Sequence, residues 1–168
     1  MRFLGGVYEK EPEEWVLSVE EYANYLKSIW AQLPAEVRGF LSERKSYSEN
    51  DPRELHSSYA EELSILEVFN DQDGGLPRLD IKVKLLGPLD TWNIFLRYVD
   101  VKSYSIVMNS IEHEGIKSPV VQGEWHVDEI LLDEKGYDVH EILFKSGAVW
   151  RIVCCTIIHS ASEIQSQI

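Results

Sequence analysis

The feature that most constrains the fold of this 168-residue chain is a change of hydrophobic period near residue 50. Upstream of this point, apolar residues recur three and four positions apart, which is typical of amphipathic helices. From residue 55 onward they alternate with polar residues, which is typical of half-buried β-strands. Because the period changes once and the chain has no internal repeat, the sequence predicts an α+β fold in which helices precede strands.

The helical part is predicted to be a pair of helices within residues 18–45. The apolar stripe of the first helix occupies residues 22–33 at helical spacing. Ser18 stands three residues before Glu21, which is the spacing of a capping box, so Ser18 is predicted to begin that helix. Pro34 cannot continue the first helix but suits the first turn of a second one. We expect the pair to pack beside the sheet.

Residues 55–158 are predicted to form a mainly antiparallel meander of about six strands. The alternation is clearest in Ile81–Leu85, where aliphatic residues alternate with lysines. Short links rich in Gly, Asp and Ser separate the strands, and short links place consecutive strands side by side. With 44% hydrophobic residues and this length, residues 1–168 are predicted to be a single domain. The predicted strands cover residues 63–69, 81–85, 92–98, 120–132, 139–144 and 149–158.

The charge of the chain is its strongest functional signal. The 29 acidic residues stand against 16 Lys and Arg, which gives a formal net charge of −13. Such a surface repels nucleic acid and anionic membranes and attracts basic proteins. The acidic residues are clustered, and we expect one cluster to be a docking surface for a basic protein partner. The clusters are residues 9–21 (net −5), 49–73 (net −7) and 124–141 (net −6).

Segment 124–141 is the best candidate for that docking surface, because its acids are expected on and between two strands of a rigid sheet. Alternation along the first of these strands predicts that Trp125 and Val127 point into the core. The alternative is that the acids only keep the surface soluble. The residues predicted to face outward or to lie at the hairpin tip, and thus to bind the partner, are Glu124, His126, Asp128, Asp133 and Glu134.

Motifs for catalysis and metal binding are sparse. The sequence contains no phosphate-binding glycine loop, no G-x-S-x-G motif and no H-E-x-x-H motif. The nearest approach to a metal site is His126 with Asp128, to which His140 on the adjacent predicted strand would add a third ligand. Because that set is incomplete, no metal, cofactor or catalytic residue is predicted. Cys154 and Cys155 lie in the most apolar strand and are predicted to be structural, reduced thiols.

The sequence predicts a soluble, cytoplasmic protein. No uncharged apolar run reaches about 18 residues, the length that a membrane span needs. The first residues lack the apolar region of a secretory signal and soon give way to glutamates. Reduced thiols also suit a reducing compartment. The oligomeric state stays open at this level.

Four short stretches carry a family resemblance. Asp51–Tyr59 leads through a leucine-histidine step into the strand Leu63–Val68, and the later part of the chain has Val139–Phe144, a Ser-Gly turn and Val149–Ile152. This arrangement, within residues 51–158, resembles small bacterial immunity-type proteins of polymorphic toxin systems. The resemblance implies a cytosolic protein that docks on a cognate toxin domain and neutralises it, without catalysis of its own. Nuclease-type toxins are basic, which agrees with the acidic charge of this chain.

Two other functions stay open from the sequence. One is a small hydrolase that uses carboxylates and His126. The other is an inhibitor that mimics nucleic acid, because its acids would be presented like phosphates to a DNA-binding protein. A toxin-like reading frame directly upstream of the gene favours the immunity function, whereas a metabolic operon favours the enzyme.

Overall fold

The computed structural model describes residues 1–4, 12–45, 47, 51–69, 76–107, 111–113, 116–118 and 123–165. Within these residues, two helices precede ten strands, and the antiparallel α+β architecture expected from the sequence is confirmed. The helices are α1 (Pro12–Ile29) and α2 (Ala35–Arg44). The strands are β1 (Tyr59–Phe69), β2 (Pro77–Leu86), β3 (Trp92–Val99), β4 (Ser103–Val107), β5 (Ile111–His113), β6 (Ile116–Ser118), β7 (Trp125–Leu132), β8 (Asp138–Phe144), β9 (Val149–Cys154) and β10 (Thr156–Glu163).

The N-terminal helical pair is present, but α1 begins at Pro12 rather than at Ser18. Ser18 lies inside the helix, where its Oγ donates a hydrogen bond to the carbonyl oxygen of Glu14 at 2.9 Å. The predicted cap at Ser18 is therefore wrong. A proline at the first helical position and acidic residues in the first turn favour the earlier start, because proline needs no hydrogen-bond partner there and carboxylates stabilise the helix dipole. The second helix starts directly after Pro34, as expected.

The described strands form two four-stranded antiparallel sheets and the short hairpin β5–β6, so the predicted single meander of about six strands is wrong. The first sheet has the order β1-β2-β3-β10, and the second has the order β4-β9-β8-β7. The chain crosses between the sheets at two neighbouring corners, from β3 to β4 and, at Cys155, from β9 to β10. Backbone hydrogen bonds from Lys102 to Val153 and from Cys155 to Val99 hold these corners together.

On the opposite side, the two sheets are joined again where β1 and β7 begin. The amide of Trp125 donates to the carbonyl of Ser58 and its carbonyl accepts from Ser57, each at 2.8 Å. The inner faces of both sheets and the apolar faces of both helices form one hydrophobic core. Its largest fully buried side chains are Trp125, Trp150, Tyr98, Phe144, Leu55, Ile81, Leu85, Ile94, Leu96, Ile130, Ile142 and Ile152.

Two predicted strands differ from the structure. The predicted strand 149–158 is two strands in different sheets, because the chain bends at Cys155. The predicted strand 120–132 begins only at Trp125, and residues 120–122 lie outside the described residues. Strand β4 was missed because it is exposed at most positions and so has no apolar face in the sequence. No helix in the described part of the chain is long and apolar enough to cross a membrane.

Candidate functional site

The strand predicted to carry the docking surface has an irregular register at its start. The pairing of β7 with β8 shifts between Trp125 and Val127. One extra residue in a strand moves every later side chain to the other face of the sheet. As a result, Asp128 is only 7% exposed and Val127 is half-buried. The expectation that Asp128 faces outward and Val127 inward is therefore wrong.

The carboxylate of Asp128 accepts hydrogen bonds from three side chains. The guanidinium of Arg44, at the end of α2, donates to both carboxylate oxygens at 2.7 and 2.9 Å. The indole nitrogen of Trp125 donates at 3.0 Å, and Nε2 of His140 lies 3.0 Å from Oδ2. Such a bidentate arginine–carboxylate pair is directional and strong when buried. A carboxylate occupied in this way has no room for a lysine of another protein.

The chain of hydrogen bonds continues into the core. Since the ionised Asp128 only accepts, Nε2 of His140 carries the proton, and Nδ1 accepts from the Tyr98 hydroxyl at 2.9 Å. Burial alone raises the pKa of Asp128, but the charge of Arg44 and the hydrogen bonds outweigh it and hold this pKa well below its usual range. Burial raises the pKa of Tyr98 well above its usual value. This network ties α2 to β3, β7 and β8.

The other four predicted residues do not form one surface. Glu124 accepts from the Tyr59 hydroxyl at 2.8 Å and from the Lys145 ammonium, and these hydrogen bonds, the one from Lys145 first, lower its pKa. His126 is half-buried beside His56. Asp133 and Glu134 lie beyond the far end of β7, roughly 30 Å from Glu124 at the usual rise of a strand.

Asp133 is engaged in the β7–β8 turn, which leaves its neighbour as the exposed acid of the hairpin tip. One carboxylate oxygen of Asp133 accepts from the backbone amides of Lys135 and Tyr137, at 2.8 and 2.9 Å. Glu134 is exposed. The same segment also holds Glu129, which is fully buried and accepts from the backbone amides of residues 2–4. Internal partners thus hold most of the acids that made this segment attractive.

A cavity of about 350 Å³ lies beside the buried network. Its described lining includes Arg44, Glu54, His56, His126 and Asp128, and contains no Ser, Thr or Cys. The guanidinium of Arg44 contacts both carboxylates, that of Asp128 at 2.7 Å and that of Glu54 at 3.4 Å. Burial is the first cause of a lowered pKa at His126, followed by the charge of His56. For the alternative of a hydrolase with carboxylates and His126, this cavity supplies two carboxylates that are both engaged with Arg44.

The incomplete metal set and the two cysteines can be located in the same way. His140 meets Asp128 at hydrogen-bond distance, and no group of three or more His, Cys, Asp or Glu among the described residues is arranged to hold a metal ion. Cys154 is buried in the core, and burial raises the pKa of its thiol. Cys155 is half-buried, and its Sγ donates to Asp100 at 3.2 Å. Burial also raises the pKa of this thiol.

A different surface combines exposed acidic and exposed apolar side chains. Its acids belong to the cluster 49–73, which the sequence identified but ranked below 124–141, and its exposed apolar residues were not predicted. Strand β1 ends the first sheet, and it exposes large apolar residues, of which Ile65 is 42% and Phe69 is 67% exposed. The signal was the adjacent pair Ile65-Leu66, which breaks the alternation of a strand with one buried face. We call the exposed residues of this strand the β1 edge: Tyr59, Glu61, Glu62, Ile65, Leu66, Glu67 and Phe69.

A second, smaller set of this kind lies on α1. Val16, Leu17 and Val19 are exposed there, close to the exposed Glu20 and Glu21. In contrast to a strand at the edge of a sheet, a helix satisfies most of its backbone hydrogen bonds internally, so mainly its side chains are available to a partner. It therefore offers contacts of one kind, whereas the β1 edge offers side chains and backbone together.

Comparison of the chain with protein-family models, with curated proteins and with solved structures found no match. The resemblance to immunity-type proteins therefore stays a prediction from the sequence.

Proposed function

We propose that this protein binds a basic protein partner and neutralises it, as the resemblance to immunity-type proteins implies, and that the partner docks on the β1 edge. The observation that carries this proposal is the mixture of exposed apolar and exposed acidic side chains on one strand. Large apolar side chains are usually buried, and a contiguous exposed set commonly marks an interaction surface.

The two kinds of side chain contribute differently to binding. Burying a side chain as large as Phe69 on a partner stabilises a complex by about 1.5–3 kcal/mol. Glu61, Glu62 and Glu67 accelerate the encounter with a basic protein and orient it, but add less to the lifetime of the complex. Glu61 already pairs with Lys84 at 2.7 Å, whereas Glu62 accepts only from the neutral Ser64 hydroxyl, at 2.8 Å, so Glu62 and Glu67 are the acids best placed to meet partner cations.

The surface is also held rigidly. Strand β1 pairs with β2 along its whole length, from Tyr59 opposite Leu86 to Phe69 opposite Pro77. Within β1, Leu63 packs against the core next to the buried Val83. A surface that is already in its bound conformation binds without the entropy cost of ordering a loop.

The test uses the domain encoded by the reading frame next to this gene, purified and mixed with the full chain at low ionic strength. We expect association with a basic domain of that frame, and we expect the double substitution E62K/E67K to slow association by about tenfold or more, because two attractive charges become repulsive. The thermal midpoint should stay close to that of the parent, since both side chains are exposed.

The matched control is E20K/E21K on α1, which changes the net charge by the same amount on a different element. It should slow association much less than E62K/E67K. Greater slowing by the α1 variant, or by E134K at the hairpin tip, would place the docking surface elsewhere. Absence of any complex with the neighbouring domain would contradict the immunity function.

A further inference from the structure

The outermost strands of the two sheets differ in whether another element covers their outer edge. A strand at the edge of a sheet presents unpaired N–H and C=O groups, which proteins usually cover. At β7, the amides of Ile130 and Leu132 donate to the hydroxyl oxygens of Tyr22 and Tyr25, at 2.6 and 2.9 Å. Helix α1 therefore covers the β7 edge.

Helix α2 packs against β10 through side chains. The ring of Phe40 lies 5.2 Å from that of His159, and a carboxylate oxygen of Glu43 lies 3.4 Å from Nδ1 of the same histidine. The edge strand β4 is short, with only five residues. Short edge strands offer few unpaired groups and seldom recruit another chain.

Strand β1 differs from these three strands. It is 11 residues long, and its bridge between Tyr59 and Glu124 lies at its first residue. From Ala60 to Phe69, no other described strand than β2 pairs with it. The backbone groups on its outer side thus lie beside the exposed apolar and acidic residues of the β1 edge.

We infer that an extended basic segment of the partner adds to β1 as a fifth strand of the first sheet. This inference rests on the proposed function and specifies how the partner binds. In strand addition, backbone hydrogen bonds supply affinity, while alternate side chains supply specificity. The same edge provides both: backbone groups with which no described strand pairs, and acids that select basic residues.

The register of β1 specifies the incoming sequence. Ile65 stands beside the buried Ile81 and shares the inner face of the sheet with Glu67. Glu62 and Leu66 share the outer face, because side chains alternate along a strand. A segment that fits therefore carries basic residues opposite Glu62 and Glu67 and apolar residues opposite Ile65 and Leu66.

Charge also disfavours a second copy of β1 as the occupant, because each copy would bring the same three glutamates, Glu61, Glu62 and Glu67, to the edge, and one register shows this most directly. Pairing two β1 strands antiparallel about Ser64 would place Glu61 of each copy opposite Glu67 of the other. Like charges directly opposite each other destabilise a pair of strands. A basic strand meets the same positions with attraction instead.

The probe is a nine-residue peptide, blocked at both ends, with the sequence Tyr-Thr-Lys-Val-Ile-Thr-Val-Lys-Arg, which meets these requirements in the antiparallel direction. We expect saturable binding to the full chain, measured by calorimetry. A carbon-13 label on one interior carbonyl should show the amide I shift of a strand within a sheet. The same peptide with every interior amide N-methylated keeps all side chains and charges but loses its donors, and it should bind at least about tenfold more weakly.

Protein variants separate this inference from the proposed function. E62K/E67K should weaken binding of the unmodified peptide by about tenfold, whereas E20K/E21K should have little effect on this binding. If the N-methylated peptide binds as well as the unmodified one and only E62K/E67K weakens both, the acidic surface stands and strand addition is wrong. If neither E62K/E67K nor N-methylation changes binding, both are wrong. Dimerisation of the chain alone, abolished by I65D in sedimentation, would show that a second copy occupies the edge.

Discussion

Two aspartates on neighbouring strands of one sheet are both buried but differ in their hydrogen-bond partners. Asp128 on β7 is 7% exposed, and Asp138 on β8 is 1% exposed. The carboxylate of Asp128 is held by Arg44, Trp125 and His140. Neither carboxylate oxygen of Asp138 has a hydrogen-bond partner among the residues that the structure describes.

The consequence is a pair of shifts in opposite directions. Burial raises the pKa of Asp138 to about 7, because no cation or donor in the described part of the chain opposes the loss of hydration. At Asp128, Arg44 and His140 outweigh burial and lower the pKa. The charge of a buried carboxylate is therefore set by the donors around it. At neutral pH Asp128 anchors α2 to the sheet, and Asp138 is close to the midpoint of its titration.

The largest expected effect comes from making Asp128 resemble Asp138. Replacing Arg44 by methionine removes the cation and leaves the carboxylate buried, which should lower the free energy of unfolding by about 3–5 kcal/mol at pH 7. Urea denaturation measures this. The control is R38M on the same helix, outside the network, with an effect within about 0.5 kcal/mol. A loss below about 1 kcal/mol for R44M would mean that Trp125 and His140 suffice to hold the charge.

The next effect concerns the pH dependence of Asp138. The folded state keeps the proton on this carboxylate up to about pH 7, whereas the unfolded chain releases it near its ordinary pKa of about 4. The folded state therefore binds more protons between these values, and the free energy of unfolding falls as the pH rises through them. Substitution D138N should remove about 2–4 kcal/mol of that fall.

The measurement for D138N is urea denaturation at pH 5 and pH 8, parent and variant side by side. The variant should lose less stability than the parent between the two values. The pH dependence has the opposite sign for Asp128. Its lowered pKa contributes stability that is fully present above about pH 4, and this stability is lost only on further acidification. Parallel curves for the parent and D138N would show that Asp138 is already ionised in the folded protein at pH 5.

The sequence could predict the order of helices and strands but not which acids are buried. Period alone located both helices and the alternation of Ile81–Leu85, because these features follow from local burial. The inward turn of Asp128 depends on the register shift after Trp125, which pairing with β8 creates and no local pattern shows. Likewise, the exposure of Phe69 follows from the position of β1 at the end of its sheet. Tertiary pairing decides both.

The smallest expected effect tests how far the network around Asp128 extends. Substitution Y98F removes the hydroxyl that donates to Nδ1 of His140 and leaves the ring in place. The buried nitrogen then lacks a donor, which should lower the free energy of unfolding by about 1–2 kcal/mol. Because Arg44 and Trp125 still hold Asp128, the loss should be similar at pH 5 and pH 8, in contrast to D138N. A loss as large as that of R44M would mean that Tyr98, His140 and Asp128 act as one cooperative unit, and the contrast with Asp138 would then lie in the whole network rather than in the arginine.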